Sequence, residues 1–135
     1  MRVYIGYKSR NNSDKKKLKD DLIKISDTLE SLGHKTFILD RDVKSWKIQH
    51  SPIHTNFWGI IKNIFKSDLI FAYITNDNPS RGLFFETIIA KLFRKKDILA
   101  IKNGIKANYY RKNIRKIIEF EDINQLLSKL LEVLK

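Results

Sequence analysis

The 135-residue chain contains no cysteine, which excludes a disulfide framework, a thiolate zinc site, an iron–sulfur cluster and a cysteine nucleophile. It has no internal repeat and no low-complexity linker. Its apolar runs reach only about eight residues, against the ~20 that a membrane-spanning helix needs. The first residues do not resemble a signal peptide, because charge returns after a short apolar run. We therefore expect a soluble, cytoplasmic protein without a membrane partner.

Acidic residues are few relative to basic ones. Asp and Glu total 15 against 27 Lys and Arg, which gives a formal net charge of +12. Such an excess attracts polyanions such as nucleic acid, acidic membranes or nucleotides. The alternative is that the positive charge reflects a bias in amino-acid composition and not a binding function, since the abundance of Lys, Ile and Asn is typical of an AT-rich genome.

Apolar and charged residues are in the proportions of a globular domain. Hydrophobic residues make up 42% of the chain and charged residues 31%, so a core can form and wholesale disorder is not expected. The length is that of one ordinary domain, and we assign residues 1–135 to a single domain.

Strand-like and helix-like patterns alternate along the chain. Strands are predicted at Val3–Tyr7, Thr36–Leu39, Leu69–Thr75, Ile98–Ile101 and Ile117–Phe120. Between the first two strands, leucine and isoleucine residues recur every three or four positions up to Gly33, as on one face of a helix. This alternation predicts an α/β, Rossmann- or flavodoxin-like domain with a five-stranded parallel sheet and helices on both faces. The first and third strands, which are the most apolar, are expected to be central.

Further helices are predicted at 57–65, at 83–93 and after Asp122, which is suited to cap the last helix. Two segments carry no clear pattern. Residues 40–52 are polar and irregular, and residues 102–116 form a basic stretch that we expect to be a flexible loop.

Ligands bind beyond the carboxyl ends of the strands in an open parallel sheet. This rule selects the loops at 7–14, 40–52 and 76–82. The third loop leads through Ser80, Arg81 and Gly82 into an apolar helix. An anion such as phosphate would find three kinds of partner there. These are the free amides at the helix N-terminus, the hydroxyl of Ser80 and the cation of Arg81. A purely structural alternative is that Ser80 caps the helix and Gly82 makes the turn.

Glu86 is the only charged residue between Gly82 and Lys91. A carboxylate on the first turns of an apolar helix is expected to face the cleft, where partial desolvation suits a nucleophile or base. The alternative is an exposed carboxylate that interacts only with the helix dipole.

The other candidates are weaker. His50 and His54 have helical spacing, but Pro52 lies between them and no acidic ligand completes a set, so no metal site is predicted. No glycine-rich nucleotide motif is present, and we expect no cofactor. Four aromatic residues are suited to stacking on a base, although such residues more often serve packing: Trp46, Trp58, Tyr109 and Tyr110.

The segments VYIGY, LGHKTFIL, SDLIFAYIT and PSRGLFFETIIA resemble the nucleoside 2-deoxyribosyltransferase superfamily, and most of all its deoxynucleoside 5′-monophosphate N-glycosidase branch. The specific part of the resemblance is confined to residues 67–90. The positions that match the family pattern are Gly6, Asp68, Pro79, Ser80, Gly82, Phe85, Glu86 and Ala90.

The resemblance implies cleavage of an N-glycosidic bond, by hydrolysis or transfer, with Glu86 as the nucleophile at C1′ of the sugar. The family also has an Asp on the helix before the third strand, and this chain has none there. That carboxylate is therefore either missing or supplied by Asp40, Asp42 or Asp77, of which we select Asp77. Ile88 stands where the family commonly has Gly. The resemblance further implies a possible homodimer. The residues expected to bind a nucleoside or nucleotide are Gly6, Tyr7, Lys8, Ser9, Arg10, Ser80, Arg81 and Gly82.

A second resemblance is to Toll/interleukin-receptor (TIR) domains, through FILD, SDLIFAYIT and an acid on the following helix. This resemblance implies cleavage of the glycosidic bond of NAD, also by Glu86. Two further alternatives are a non-catalytic nucleotide-sensing module and a basic nucleic-acid-binding protein. Against the last, the lysines are scattered along the sequence and no nucleic-acid-binding motif is present.

Overall fold

A computed structural model describes residues 1–8, 15–42, 57–77 and 80–134 of the chain. Five strands alternate with six helices in this part of the chain. In order they are β1 (Arg2–Tyr7), α1 (Lys15–Ser31), β2 (Lys35–Ile38), α2 (Leu39–Asp42), α3 (Phe57–Lys66), β3 (Leu69–Ile74), α4 (Arg81–Leu92), β4 (Lys96–Lys102), α5 (Asn108–Asn113), β5 (Lys116–Phe120) and α6 (Ile123–Val133).

The five strands form one parallel sheet in the order β2-β1-β3-β4-β5. All six residues of β3 are buried, as expected for a strand covered on both faces. β3 is the central strand and β1 lies next to it, flanked by β2. The predicted fold class and the interior position of the first and third strands are confirmed.

Alternate side chains of the strands enter different layers. Val3 and Ile5 pack with residues of α1 and α6 on one face of the sheet. Tyr4 points the other way, into a cluster with Ile60 and Ile64 of α3 and with Ala90 of α4. The residues of β1 with even numbers therefore face α3 and α4.

Helix ends agree with the local chemistry of the sequence. Gly33 follows α1 at a φ of +89°, a conformation that glycine adopts without steric cost. Asp122 caps α6 through a carboxylate oxygen that accepts a hydrogen bond from the Gln125 amide at 2.8 Å. Both expectations are confirmed.

Two segments predicted to be irregular contain short helices. α2 begins at Leu39, which was predicted to end the second strand, and continues into 40–52. Its Asp42 carboxylate accepts a hydrogen bond from the Ile38 amide at 2.8 Å and pairs with Arg41. The rest of that segment lies outside the described residues.

α5 lies within the predicted flexible loop at 102–116. Its Tyr110 and the following Ile114 are buried against the sheet, in a cluster that includes Leu99. Six residues are too few to show a helical period, and tertiary packing stabilises this helix.

Within the described ranges, no helix is long and apolar enough to cross a membrane.

Candidate active site

α4 begins at the edge of the sheet where the parallel strands end. Ser80 is its N-cap, and the Ser80 hydroxyl accepts a hydrogen bond from the Leu83 amide at 3.3 Å. The predicted capping role of Ser80 is therefore confirmed. Because Ser80 bonds the third amide of the helix, the amides of Arg81 and Gly82 remain at the open end, where a helix has no internal acceptors.

Glu86 lies on the face of α4 that packs on the sheet. The buried residues of α4 are Leu83, Glu86 and Ala90, which recur at spacings of three and four. Glu86 is only 6% exposed. The alternative of a solvent-exposed carboxylate is thus wrong, and the expected burial of this side chain is confirmed.

Gly6 lets α4 approach β1 closely. A Cβ atom on Gly6 would lie 3.0 Å from Leu83 Cδ1 and 3.8 Å from Glu86 Oε2. The first distance is too short for a comfortable contact, so any larger residue would push Leu83 away. Gly6 therefore lies directly beneath the carboxyl group of Glu86, although the residue offers no side chain to a substrate.

Tyr4 lies two residues before Gly6 and so shares its face of β1. Its ring is fully buried and stacks on Phe37, with the ring centroids 5.2 Å apart. Burial raises the pKa of Tyr4 well above its ordinary value, and the adjacent Glu86 carboxylate raises it further. The hydroxyl faces Glu86, yet it forms no hydrogen bond of normal length and angle to any described residue. It is a buried, protonated donor beside a carboxylate.

Tyr110 of α5 is a second tyrosine whose pKa is affected by the charge of Glu86. Burial raises the pKa of Tyr110 to about 12, with smaller contributions from Tyr109 and from Glu86. Tyr110 therefore stays protonated throughout the physiological range. Two tyrosines from different elements, β1 and α5, thus stay protonated in the electrostatic surroundings of one buried carboxylate.

Lys8 follows β1 and is buried on the same side of the sheet. Its ammonium donates a hydrogen bond to the Asn76 carbonyl at 2.9 Å and lies 5.8 Å from the centre of the Tyr110 ring. Burial lowers the pKa of Lys8, while the charge of Asp77 acts against that shift. Lys8 thus joins the carboxyl ends of β1 and β3 and carries a cation beside the tyrosines.

Asp77 follows β3, and its carboxylate is engaged by the backbone. It accepts hydrogen bonds from the Ala107 amide at 2.9 Å and the Lys106 amide at 3.4 Å. The bond from Ala107 is the main reason that the pKa of Asp77 is lowered. Ala107 is the N-cap of α5 and has no capping side chain of its own, so Asp77 supplies an acceptor at the start of that helix.

The remaining predicted binding residues differ in their placement. Arg81 is exposed, and a Cβ on Gly82 would meet no atom within 4 Å, so the end of α4 is open. Tyr7 packs in the layer of α1 and α6, on the opposite face of the sheet from Glu86. Ser9 and Arg10 lie outside the described residues.

The other polar candidates do not join this group. Asp42 is held by Ile38 and Arg41 beside β2. Asp68, part of the family pattern, accepts a hydrogen bond from the Arg2 amide at the opposite end of the strands. Pro79, Trp46, His50 and His54 lie outside the description. Over the described part of the chain, no three Asp, Glu or His side chains cluster as metal ligands would.

No protein-family model matches the chain, and no curated protein matches it in sequence. Solved structures match it in three dimensions. The CMP N-glycosidase BcmB of Clostridium botulinum superposes with a TM-score of 0.73 at 19% identity, over 98% of this chain and 98% of that one.

The 2-deoxyribosyltransferase of the psychrotolerant bacterium Bacillus psychrosaccharolyticus gives a TM-score of 0.68 at 19% identity, over 94% of this chain and 90% of that one. BlsM superposes with a TM-score of 0.74 at 19% identity, over 98% of this chain and 91% of that one. The chain has the fold of these proteins. The resemblance to the nucleoside 2-deoxyribosyltransferase superfamily is thus confirmed as a likeness of fold.

The sequence did not lead us to select Tyr4 as a site residue. It suggested Tyr110 only for stacking on a base or for packing. The period of two along a strand is the signal for Tyr4, since a residue two places before Gly6 must share its face. No comparable signal existed for Tyr110, because the helix that carries it is too short to be recognised from its sequence. Trp58, one of the four aromatic residues considered for stacking on a base or for packing, is 77% exposed.

Proposed function

We propose that this chain cleaves the N-glycosidic bond of a nucleoside or nucleotide, by hydrolysis or by transfer, with Glu86 as the nucleophile. The observation that carries the proposal is the burial of this one carboxylate against Gly6 and beside the hydroxyl of Tyr4. The fold shared with an N-glycosidase and a 2-deoxyribosyltransferase supports the same chemistry.

In the proposed reaction, a carboxylate oxygen of Glu86 forms a bond to C1′ while the bond from C1′ to the base nitrogen breaks. The electron pair of that bond leaves with the base, which takes up a proton. The transition state resembles an oxocarbenium ion, so a nearby carboxylate lowers its energy. Water, or an N–H nitrogen of a second base, then forms the bond to C1′ and displaces Glu86 as a carboxylate. The proton that the attacking group releases balances the one that the departing base took up.

The Tyr4 hydroxyl, which faces Glu86, would donate to it in the substrate complex and so orient the nucleophile, with Tyr110 as a second protonated phenol in its surroundings. A phenol that donates to one carboxylate oxygen leaves the other free to attack and fixes its direction. Because both hydroxyls stay protonated at neutral pH, neither competes with Glu86 as an anion. Asp77 would act through α5, whose first turn it holds in place, as a positioning residue. Its direct participation remains a prediction.

The open end of α4 is the proposed site for the 5′ end of the substrate. The amides of Arg81 and Gly82, the Arg81 side chain and the buried Lys8 provide positive charge at the same edge of the sheet. A 5′-phosphate fits this charge. BcmB, which has the same fold, is a CMP N-glycosidase, and CMP carries such a phosphate.

Three wider expectations remain part of the proposal. Residues 1–135 would act as one domain, in the cytoplasm. A homodimer would allow a second copy to supply the carboxylate that the helix before β3 lacks. Light scattering at micromolar concentration tests the dimer.

The function itself is tested by incubating the protein with nucleosides, nucleoside 5′-monophosphates, their 2′-deoxy forms and NAD, with chromatography for the released base. Base release from a nucleoside or monophosphate supports the proposal. Release of nicotinamide from NAD alone would replace it with the TIR-like activity. Binding without release from any compound would replace it with the sensing role.

A further inference from the structure

The basic residues that look scattered in the sequence gather at one edge of the sheet. The first residue of β1, β2, β4 and β5 is a Lys or an Arg. Before β3, the nearest cation is Lys66, which is followed by Ser67 and Asp68. Because the strands are parallel, their amino ends all lie at the same edge. We call the following cations the amino rim: Arg2, Lys35, Lys66, Arg94, Lys95, Lys96, Arg115 and Lys116.

The strand register confirms that these residues form a row. Lys35 pairs with Arg2, and Leu69 pairs with both Val3 and Lys96. Lys116 pairs with Ile98, two residues beyond Lys96. Neighbouring strands lie ~4.8 Å apart, so the five strand ends extend over about 19 Å. Stacked nucleotides of one strand rise by ~3.4 Å each, so this length corresponds to about six phosphates.

The charge of the amino rim is largely unneutralised. Among the described residues, none of its side chains lies within salt-bridge distance of a carboxylate. Two acids lie in the row, Asp68 and Asp97, and Asp68 already accepts a hydrogen bond from the Arg2 amide. Two more, Glu30 and Glu132, lie near the ends of α1 and α6, and Glu30 faces Arg41 at 4.0 Å. Eight cations still exceed these four acids.

Exposed aromatic rings interrupt the row. Phe65, near the end of α3, is 63% exposed, and Phe93, just after α4, is 37% exposed. Their ring centres are 5.5 Å apart in an edge-to-face arrangement, and the Lys95 ammonium lies 5.5 Å from the centre of the Phe65 ring. Proteins that bind single-stranded nucleic acid combine a series of cations with accessible aromatic rings. The phosphates contact the cations, and the bases stack on the rings.

We propose that the amino rim binds single-stranded nucleic acid. The proposed active site does not account for this charge, because Glu86 and its partners lie at the carboxyl ends of the strands, the opposite edge. A second copy of the chain is disfavoured as the occupant, since it would bring a second row of like charge. A lipid surface fits less well, because the cations extend in a line well beyond the two rings.

The test is fluorescence anisotropy of a labelled oligothymidylate 20-mer between 50 and 200 mM salt. A rim variant changes Lys66, Lys96, Arg115 and Lys116 to Gln. A matched control changes Lys15, Lys16, Lys24 and Lys102, which are also exposed, to Gln and so removes the same charge. The logarithm of the binding constant falls linearly with the logarithm of the salt concentration, and each lost phosphate contact makes this slope shallower by ~0.7. The slope of the rim variant should therefore be shallower than that of the parent by about 2 or more.

We expect the rim variant to bind at least tenfold more weakly than the parent at 50 mM salt, and the control to stay within about threefold. Phe65→Ala should weaken binding by about fivefold or more through lost stacking. Base release should be unchanged in the rim variant.

Equal losses in the rim and control variants would overturn the proposal, because the attraction would then come from net charge alone. Absence of binding by the parent at 50 mM salt would also overturn it. Stronger binding to vesicles of phosphatidylcholine and phosphatidylserine than to the oligonucleotide would assign the amino rim to lipid instead.

Discussion

At the scale of single residues, two buried tyrosines on neighbouring strands differ in how their hydroxyls are satisfied. The Tyr73 hydroxyl donates to the Asp21 carboxylate at 3.1 Å, in the layer of α1 and α6. The Tyr4 hydroxyl, on the other face, lies beside Glu86 without a normal hydrogen bond to any residue the structure describes. The first pair is suited to stability, whereas the second leaves a donor available for the proposed reaction.

The two tyrosines therefore give opposite predictions for removal of the hydroxyl. Tyr4→Phe should lower the rate of base release by about 10-fold to 100-fold, because Glu86 loses an orienting donor, and should leave the melting temperature equal or higher. Tyr73→Phe should lower stability by about 1–3 kcal/mol, since it leaves Asp21 buried without its donor, and should leave the rate unchanged. Kinetics and thermal unfolding of both variants check this. A normal rate for Tyr4→Phe would show that its hydroxyl does not act on Glu86.

Tyr110 predicts a loss of stability at high pH. Its pKa is about 12 in the folded chain, against about 10 for an unfolded tyrosine. As the pH rises, the unfolded chain releases this proton first, so the free energy of unfolding falls between about pH 10 and 12. Below pH 10 the contribution of Tyr110 is fully present. Denaturant unfolding at pH 9.5–12 should show a steeper decline for the parent than for Tyr110→Phe. Parallel declines would contradict the assigned pKa.

At the scale of elements, Asp77 connects the end of β3 to the start of α5, and α5 carries Tyr110, whose pKa the charge of Glu86 helps to raise. Asp77→Asn keeps the side-chain shape but weakens the acceptor for the amides of Lys106 and Ala107. We expect faster amide hydrogen exchange over residues 105–113 and a rate of base release lower by about tenfold. A rate loss as large as that of a Glu86 variant, with unchanged exchange, would instead make Asp77 a direct participant.

The elements also show what the sequence can and cannot reveal. α1 is predictable because its apolar residues recur every three or four positions, and β3 because its continuous apolar run is typical of a strand buried on both faces. Glu86 was identifiable as the only charged residue between Gly82 and Lys91. α5 was not, since six residues show no period and its stability comes from Tyr110 and Ile114 packing on the sheet. Its contact with Asp77, 30 residues earlier in the chain, depends on strand order, which local patterns do not contain.

At the scale of the whole molecule, the charge at the open end of α4 predicts how ligands stabilise the fold. If phosphate is bound there, a nucleoside 5′-monophosphate should raise the melting temperature more than its nucleoside at equal concentration. The double variant Ser80→Ala, Arg81→Ala should remove that difference while keeping the smaller effect of the nucleoside. Equal shifts for both ligands in the parent would mean that only the base and the sugar are recognised.

The most direct measurement is the rate of base release by Glu86→Gln, compared with the parent and with Glu121→Gln, which changes an exposed carboxylate. Glutamine keeps the shape of the side chain but removes the charge that stabilises the developing cation. We predict a loss of ~10³-fold or more for Glu86→Gln, with nucleotide binding retained, and no loss for Glu121→Gln. A folded Glu86→Gln protein that releases base as fast as the parent would contradict the central claim.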